Sequence, residues 1–166
     1  PRRRLTTDTA RMLMALAQIR NIFIHQIDMS NAFCADIEGG VYILAPKGMD
    51  IPEWKCFKLL KSLYGLRTSP KSWNRTIDKT LRGLHFEPPM SDPCLYSRWV
   101  RGKLHLILVY VDDILINSED EDYISEIKKG ICAEYDMTDM GELDNFLNAK
   151  IKRTREKITV SQTHYC

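Results

Sequence analysis

Apolar positions over residues 7–20 recur at helical spacing, with Met12, Leu13, Leu16 and Ile19 on one side. That spacing predicts a first helix from Thr7 to Arg20. The segment N-I-F-I-H-Q-I-D-M, residues 21–29, instead alternates Ile22, Ile24 and Gln26 against Phe23, His25 and Ile27. It reads as a strand, and it ends at Asp28. Glu38-Gly39-Gly40 signals a turn ahead of a short strand, Val41 to Leu44. A second helix opens at Ser69-Pro70, where Ser suits the cap and Pro the first helical position, and Gly83 closes it. Its apolar stripe is Trp73, Ile77 and Leu81.

Further along, a strand from Leu95 to Val100, the turn Arg101-Gly102 and a strand from Leu104 to Val111 follow in order. Ile114 to Asn117 forms the next strand. A third helix, Asp120 to Ala133, faces Ile124, Ile127 and Ile131 inward, and short strands at Ala149–Ile151 and Ile158–Ser161 close the chain. This order predicts an α+β fold: an antiparallel sheet with helices covering one face.

One place breaks the apolar pattern. Asp112 and Asp113 lie inside K-L-H-L-I-L-V-Y-V-D-D-I-L-I-N-S, residues 103–118. Burying two adjacent charges costs several kcal/mol unless something compensates them. A two-residue bend at a hairpin tip accommodates Asp, and turn chemistry alone is one explanation. The apolar flanks favour another: a buried hairpin base whose tip directs carboxylates into a cleft. Asp28 ends a different strand and can lie beside them. Clustered carboxylates repel, and a divalent cation is the usual remedy. Two Mg²⁺ ions held roughly 3.5–4 Å apart by such a set support phosphoryl transfer.

Composition narrows the class. The chain has 166 residues and a net charge of +2, ordinary for a globular domain. No apolar run is long enough to cross a bilayer. Five widely spaced cysteines, none in a C-x-x-C pair, argue for reduced thiols rather than a disulfide framework or zinc site. Charge is unevenly placed. Lys55 to Arg82 holds eight bases against one acid, and Asp112 to Asp144 holds twelve acids against two bases. Arg67, Lys71, Arg75 and Lys79 step by four, offset from the apolar stripe by roughly 200° around the helix. Two solvated faces explain the runs equally well; a basic rail for a polyanion is the functional alternative.

Seven stretches then stand in order: L-T-T-D-T-A-R-M-L-M-A-L-A, H-Q-I-D-M-S-N-A-F, K-S-L-Y-G-L-R-T-S-P-K-S-W, S-D-P-C-L-Y, L-V-Y-V-D-D-I-L-I, M-T-D-M-G-E-L-D-N-F-L and I-T-V-S-Q-T-H-Y. With them the chain resembles the reverse transcriptase domain of copia-type LTR retrotransposons over nearly its whole length. The resemblance implies a polymerase palm with partial fingers, copying RNA into DNA by nucleotidyl transfer to a primer 3′-hydroxyl. It implies Asp28, Asp112 and Asp113 as the catalytic, metal-binding aspartates, with the Met29 carbonyl as a further ligand and two Mg²⁺ (or Mn²⁺) as cofactors. Ala32, Phe33, Tyr64 and Val111 would line the nucleotide site, Phe33 against the sugar so that a 2′-hydroxyl clashes. Tyr110 would meet the primer end, and Arg67, Lys71 and Arg75 the template backbone. Implied partners are an RNA or DNA template, a DNA or tRNA primer, deoxynucleoside triphosphates, the rest of a polyprotein or a second copy, and no membrane. The implied setting is intracellular: cytoplasmic virus-like particles, and the nucleus.

The chain also departs from that pattern. It begins at Pro1 and reads as a single palm-and-fingers fragment of a longer protein, without the family's N-terminal fingers segment, thumb or ribonuclease H. F-C-A-D-I-E-G-G is one residue short of the usual loop, and Asn148 stands where the family has Gly. A rival reading is a non-catalytic, retrotransposon-derived module that binds nucleic acid or protein. It gives no reason for three intact aspartates.

Overall fold

The first predicted helix forms as α1, Thr7–Arg20, in a computed structural model that describes residues 7–30, 39–52, 54–89 and 91–162. Ala10, Leu13, Met14 and Ala17 form its buried stripe, while Met12 and Ile19 are exposed. The expected stripe is therefore rotated: two alanines, weak as hydrophobic signals, let the helix sit close to its neighbours. Asn21 takes a left-handed backbone, φ 52°, and Ile22 N–H closes the helix on the Ala17 carbonyl. The chain then enters β1, Phe23–Met29.

The chain divides into two compact units: residues through Ser30 together with those from Leu81 onward, and the intervening stretch to Thr80. In the intervening unit, β2 (Tyr42–Leu44) and β3 (Cys56–Lys58) pair antiparallel. Helix α2, Ser69–Gly83, begins in this unit and runs past its boundary at Thr80, and it buries Trp73, Ile77 and Leu81 as predicted. Its bounds are those predicted, but its caps differ from expectation. Ser69 turns its hydroxyl to the Leu63 carbonyl, and the Thr68 carbonyl takes the first helical hydrogen bond, from Ser72 N–H. At the other end the left-handed residue is His85, φ 63°, not Gly83, and Phe86 N–H reaches back to Leu81.

The larger unit is built on a five-stranded antiparallel sheet in the order β4-β5-β6-β1-β7. Here β4 is Leu95–Val100, β5 Lys103–Tyr110, β6 Asp113–Ser118 and β7 Met137–Glu142. Helix α3, Glu121–Cys132, separates β6 from β7, and the Asp120 carboxylate caps it by accepting from Tyr123 N–H. A second, three-stranded sheet holds β8 (Asn145–Phe146), β9 (Ala149–Arg153) and β10 (Ile158–Ser161).

The α+β class and the antiparallel sheet are as predicted, but the helices do not share one face. Ile24, Leu108 and Leu115 join α1, Phe146 and Ile151 in one apolar cluster. His25 and His105, of opposite parity along their strands, meet Lys128 and Tyr123 of α3. The physical reason lies in β5 and β6, whose interiors are buried at successive positions and so require cover on both sides.

Candidate active site

Strands β5 and β6 are joined by Val111 and Asp112 alone, with Tyr110 paired to Asp113. Val111 carries φ +54°, a left-handed backbone that a β-branched residue avoids at a cost of roughly 1–3 kcal/mol. Its side chain is half exposed. Such strain persists only where the surroundings impose it, and here the buried ladder of β5 and β6 does so.

Strand β1 pairs with β6 over six positions, from Phe23 opposite Ser118 to Asp28 opposite Asp113. Directly opposed residues send side chains to the same face, with Cβ atoms about 4.5–5.5 Å apart. Asp28 and Asp113 therefore share one face at the end of the sheet. Met29 N–H donates to the Asp112 carbonyl at 2.8 Å, tying the end of β1 to the hairpin tip. One carboxylate oxygen of Asp112 is buried.

The electrostatics follow. Burial pushes the Asp113 carboxyl above its ordinary range, and the charges of Asp28 and Asp112 push it the same way. Gln26 opposes them: its side-chain amide donates to Asp113 Oδ1 at 2.8 Å. Two carboxylates about 5 Å apart repel by roughly 1–3 kcal/mol between bulk-water and protein-surface screening. One hydrogen bond cannot fully offset that together with the burial of Asp113. The arrangement favours a hard cation, for which an all-oxygen donor set is the chemical match. Among the described residues, no three or more His, Cys, Asp or Glu are grouped so that they could hold a metal ion, so the three aspartates are not gathered into one ligand set. An open set suits Mg²⁺, which keeps water and substrate phosphate in its shell and takes one or two carboxylates from protein.

Of the other predicted residues, Tyr110 is half-buried, its ring edge-on to Phe146 at 6.2 Å between centroids. Met29 has a buried side chain, so only its backbone is offered to a ligand. Ala32 and Phe33 lie outside the described residues. Tyr64, Arg67, Lys71 and Arg75 belong to the other unit, and all four are exposed. Arg67 sits in the turn before α2 and so is not on the helical rail, which consists of Lys71, Arg75 and Lys79.

Two features escaped sequence reading. Gln26 occupies a buried position on the face that carries Asp28, and an amide there signals a buried partner. Strand β7 flanks β1 on its open side, with Thr138 opposite Asp28 and Met137 opposite Met29. The Leu147-Asn148 turn between β8 and β9 explains the departure at Asn148. Both residues have positive φ, 50° and 60°, and Asn tolerates that conformation nearly as Gly does.

Residues 4–166 match the family of reverse transcriptases (RNA-dependent DNA polymerases). The Retrovirus-related Pol polyprotein from transposon TNT 1-94 of Nicotiana tabacum is 33% identical over 161 residues, 93% of this chain and 12% of that protein. The corresponding polyprotein from transposon RE1 of Arabidopsis thaliana is 30% identical, over 97% of this chain and 11% of that protein. A Transposon Ty1-NL2 Gag-Pol polyprotein of Saccharomyces cerevisiae is 31% identical, over 87% and 8%. The chain thus spans about a tenth of the length of these relatives. No solved structure matches it significantly. No helix among the described residues is long and apolar enough to cross a membrane. With the family matched across nearly the whole chain, and with transposon Pol polyproteins as its relatives, the chain belongs to the reverse transcriptases, the RNA-directed DNA polymerases, of the copia/Ty1 type.

Proposed function

We propose that this chain is the palm of a retrotransposon Pol polyprotein and catalyses RNA-directed DNA synthesis through Asp28, Asp112 and Asp113. The observation that carries the proposal is the β1–β6 register, which sets Asp28 opposite Asp113 at the strained tip bearing Asp112. The residues fit a pair of Mg²⁺ or Mn²⁺ ions. When bound, these ions would activate a primer 3′-hydroxyl and stabilise charge on a deoxynucleoside triphosphate.

The chain's own contribution is positioning. The buried ladder holds the aspartates at the rim, Gln26 orients Asp113, and Val111 and Tyr110 border the place where a primer end would lie. Met29 would offer its carbonyl beside the same ions. Ala32 and Phe33 would border the nucleotide sugar, and Tyr64 the nascent base pair. Arg67, Lys71 and Arg75 are exposed cations suited to template phosphates, and such contacts are sequence-independent, as copying requires. In the polyprotein setting the primer would be DNA or tRNA and the template RNA or DNA. The protein would work in cytoplasmic particles and deliver its product to the nucleus.

Primer extension on an RNA template with Mg²⁺ or Mn²⁺ tests the proposal, with the chain placed within its polyprotein. Asp112→Asn and Asp28→Asn should each abolish extension while primer–template binding persists. If the intact aspartates support no extension although primer–template still binds, a non-catalytic binding module is the correct account.

A further inference from the structure

Behind the sheet from Asp28, on the opposite face of β1, lies a charged cluster that the proposed chemistry does not use. Lys128 of α3 is only 8% exposed, unusual for an ammonium group and tolerable only when paired. Its Nζ donates to His25 Nδ1 at 2.9 Å and to Asp139 Oδ1. His25 must then accept through Nδ1, which leaves Nε2–H directed towards Glu121, 3.9 Å away. Burial first, and the Lys128 charge second, hold His25 below its ordinary value and keep it a neutral acceptor.

Asp139 sits at an irregularity in the ladder. Gln26 opposes Gly141 while Ile27 opposes Asp139, so Met140 is an extra residue bulged out of β7. Gly141 takes φ 74°, and its N–H donates to the same Asp139 oxygen that accepts from Lys128. One carboxylate oxygen thus joins the bulge to α3, and through Lys128 to β1. The bulge in turn decides which β7 residue faces Asp28. With it in place Thr138 does, and a slip of one residue would reverse every side chain on that strand segment.

We propose that Lys128 is a positioning residue for Asp28: by holding the β7 bulge through Asp139 and β1 through His25, it fixes the β1–β7 register that sets Thr138 beside Asp28 on the side of β1 away from Asp113. The consequence for metal affinity rests on the metal-binding role proposed for the aspartates; the clamp itself does not. Asp139 is half exposed, so it stays solvated when Lys128 loses its charge, and Lys128→Met keeps a chain of similar length over the sheet. That variant should fold.

Hydrogen exchange and Mn²⁺ titration by electron paramagnetic resonance, both on the full chain, test this. In Lys128→Met, amides of residues 137–142 should exchange about tenfold faster or more, while those of Leu108 and Leu115 hold their rates. Mn²⁺ binding should weaken about tenfold, as for other residues that orient metal ligands. Lys128→Met/Asp139→Asn should be no worse than Lys128→Met, since both changes break one clamp. Ile131→Val, a destabilising change in the core of α3, should leave Mn²⁺ affinity unchanged. The inference is overturned if Lys128→Met leaves β7 exchange unaltered, or if Ile131→Val weakens Mn²⁺ binding as much as Lys128→Met does. Should Asp28→Asn bind Mn²⁺ as well as the unaltered chain, the metal role of the aspartates falls instead, and the exchange pattern alone decides the clamp.

Discussion

Replacing Gln26 by Met probes whether Asp113 is held as a carboxylate. The amide of Gln26 is 2.8 Å from Asp113 Oδ1, and its residue is 7% exposed, so water cannot readily take its place. Met fills a similar volume, which leaves little cavity to confound the result. A hydrogen bond to a charged group contributes about 1.5–3 kcal/mol; partial exposure of Asp113 lowers the expectation to about 1–2 kcal/mol at neutral pH. The pH dependence carries the discrimination. The Gln26 bond is what lowers Asp113 against burial and the charges of Asp28 and Asp112. Without it the native carboxyl rises further while the unfolded value stays put. The native state of the variant then binds its proton more readily, so its stability deficit is full above the native pKa and shrinks as pH falls through it. Urea unfolding of both proteins at about pH 7 and about pH 3 measures this, alongside a ¹³C titration of the Asp113 carboxyl. An equal loss at the two pH values would mean that Gln26 acts through packing alone. A loss under about 0.5 kcal/mol at neutral pH would mean that Asp113 is not held as a charge.

Three further outcomes are expected. Val111→Gly relieves the positive φ at the hairpin tip, and after the entropy cost of Gly should raise stability by about 0.5–1 kcal/mol in urea; a decrease would show that Val111 is not strained. At the β8–β9 turn, Asn148→Gly should be nearly neutral and Asn148→Val should cost about 1–2 kcal/mol, because only the latter resists φ 60°. Burial depresses both His25 and His105, so the stability they confer is present above the unfolded value near 6.5 and is lost as pH falls through their native values. Unfolding midpoints should therefore decline below about pH 6.5, and less steeply in His105→Gln.

The elements with strong internal period were legible in the sequence. The bounds of α1, α2 and β4 are those predicted: α2 buries the stripe its spacing marks, α1 keeps helical spacing although its buried stripe is rotated, and the turn Arg101-Gly102 closes β4. Strand β7 was not legible. M-T-D-M-G-E is polar, carries a bulge and lies at a sheet edge, so nothing in it alternates. Its strand character comes from β1, a partner more than 100 residues away. The capping roles were not legible for a related reason. Gly83 and Ser69 have the right chemistry for caps, yet the left-handed residue is His85, two positions on, and the first helical hydrogen bond goes to the Thr68 carbonyl, because local hydrogen bonds outweigh residue preference. The aspartates were legible as charges out of place. Their alignment was not, because register is a property of two strands together.

That register is over-determined, and this explains how a charged site survives at the end of an apolar sheet. Between β1 and β6 the positions leading up to the aspartates include Ile24, Ile27, Ile114, Leu115 and Ile116, all buried, on the two faces by turns. Sliding β1 by one residue would set Ile27 beside Asp113 and carry His25 and Gln26 to the wrong faces, exposing several of these side chains at about 1.5–3 kcal/mol each. The repulsion between Asp28 and Asp113, roughly 1–3 kcal/mol, is too small to drive such a slip. The aspartates are therefore held together by the hydrophobic ladder behind them. Their mutual repulsion remains as a standing preference for a cation, which the protein does not need in order to fold.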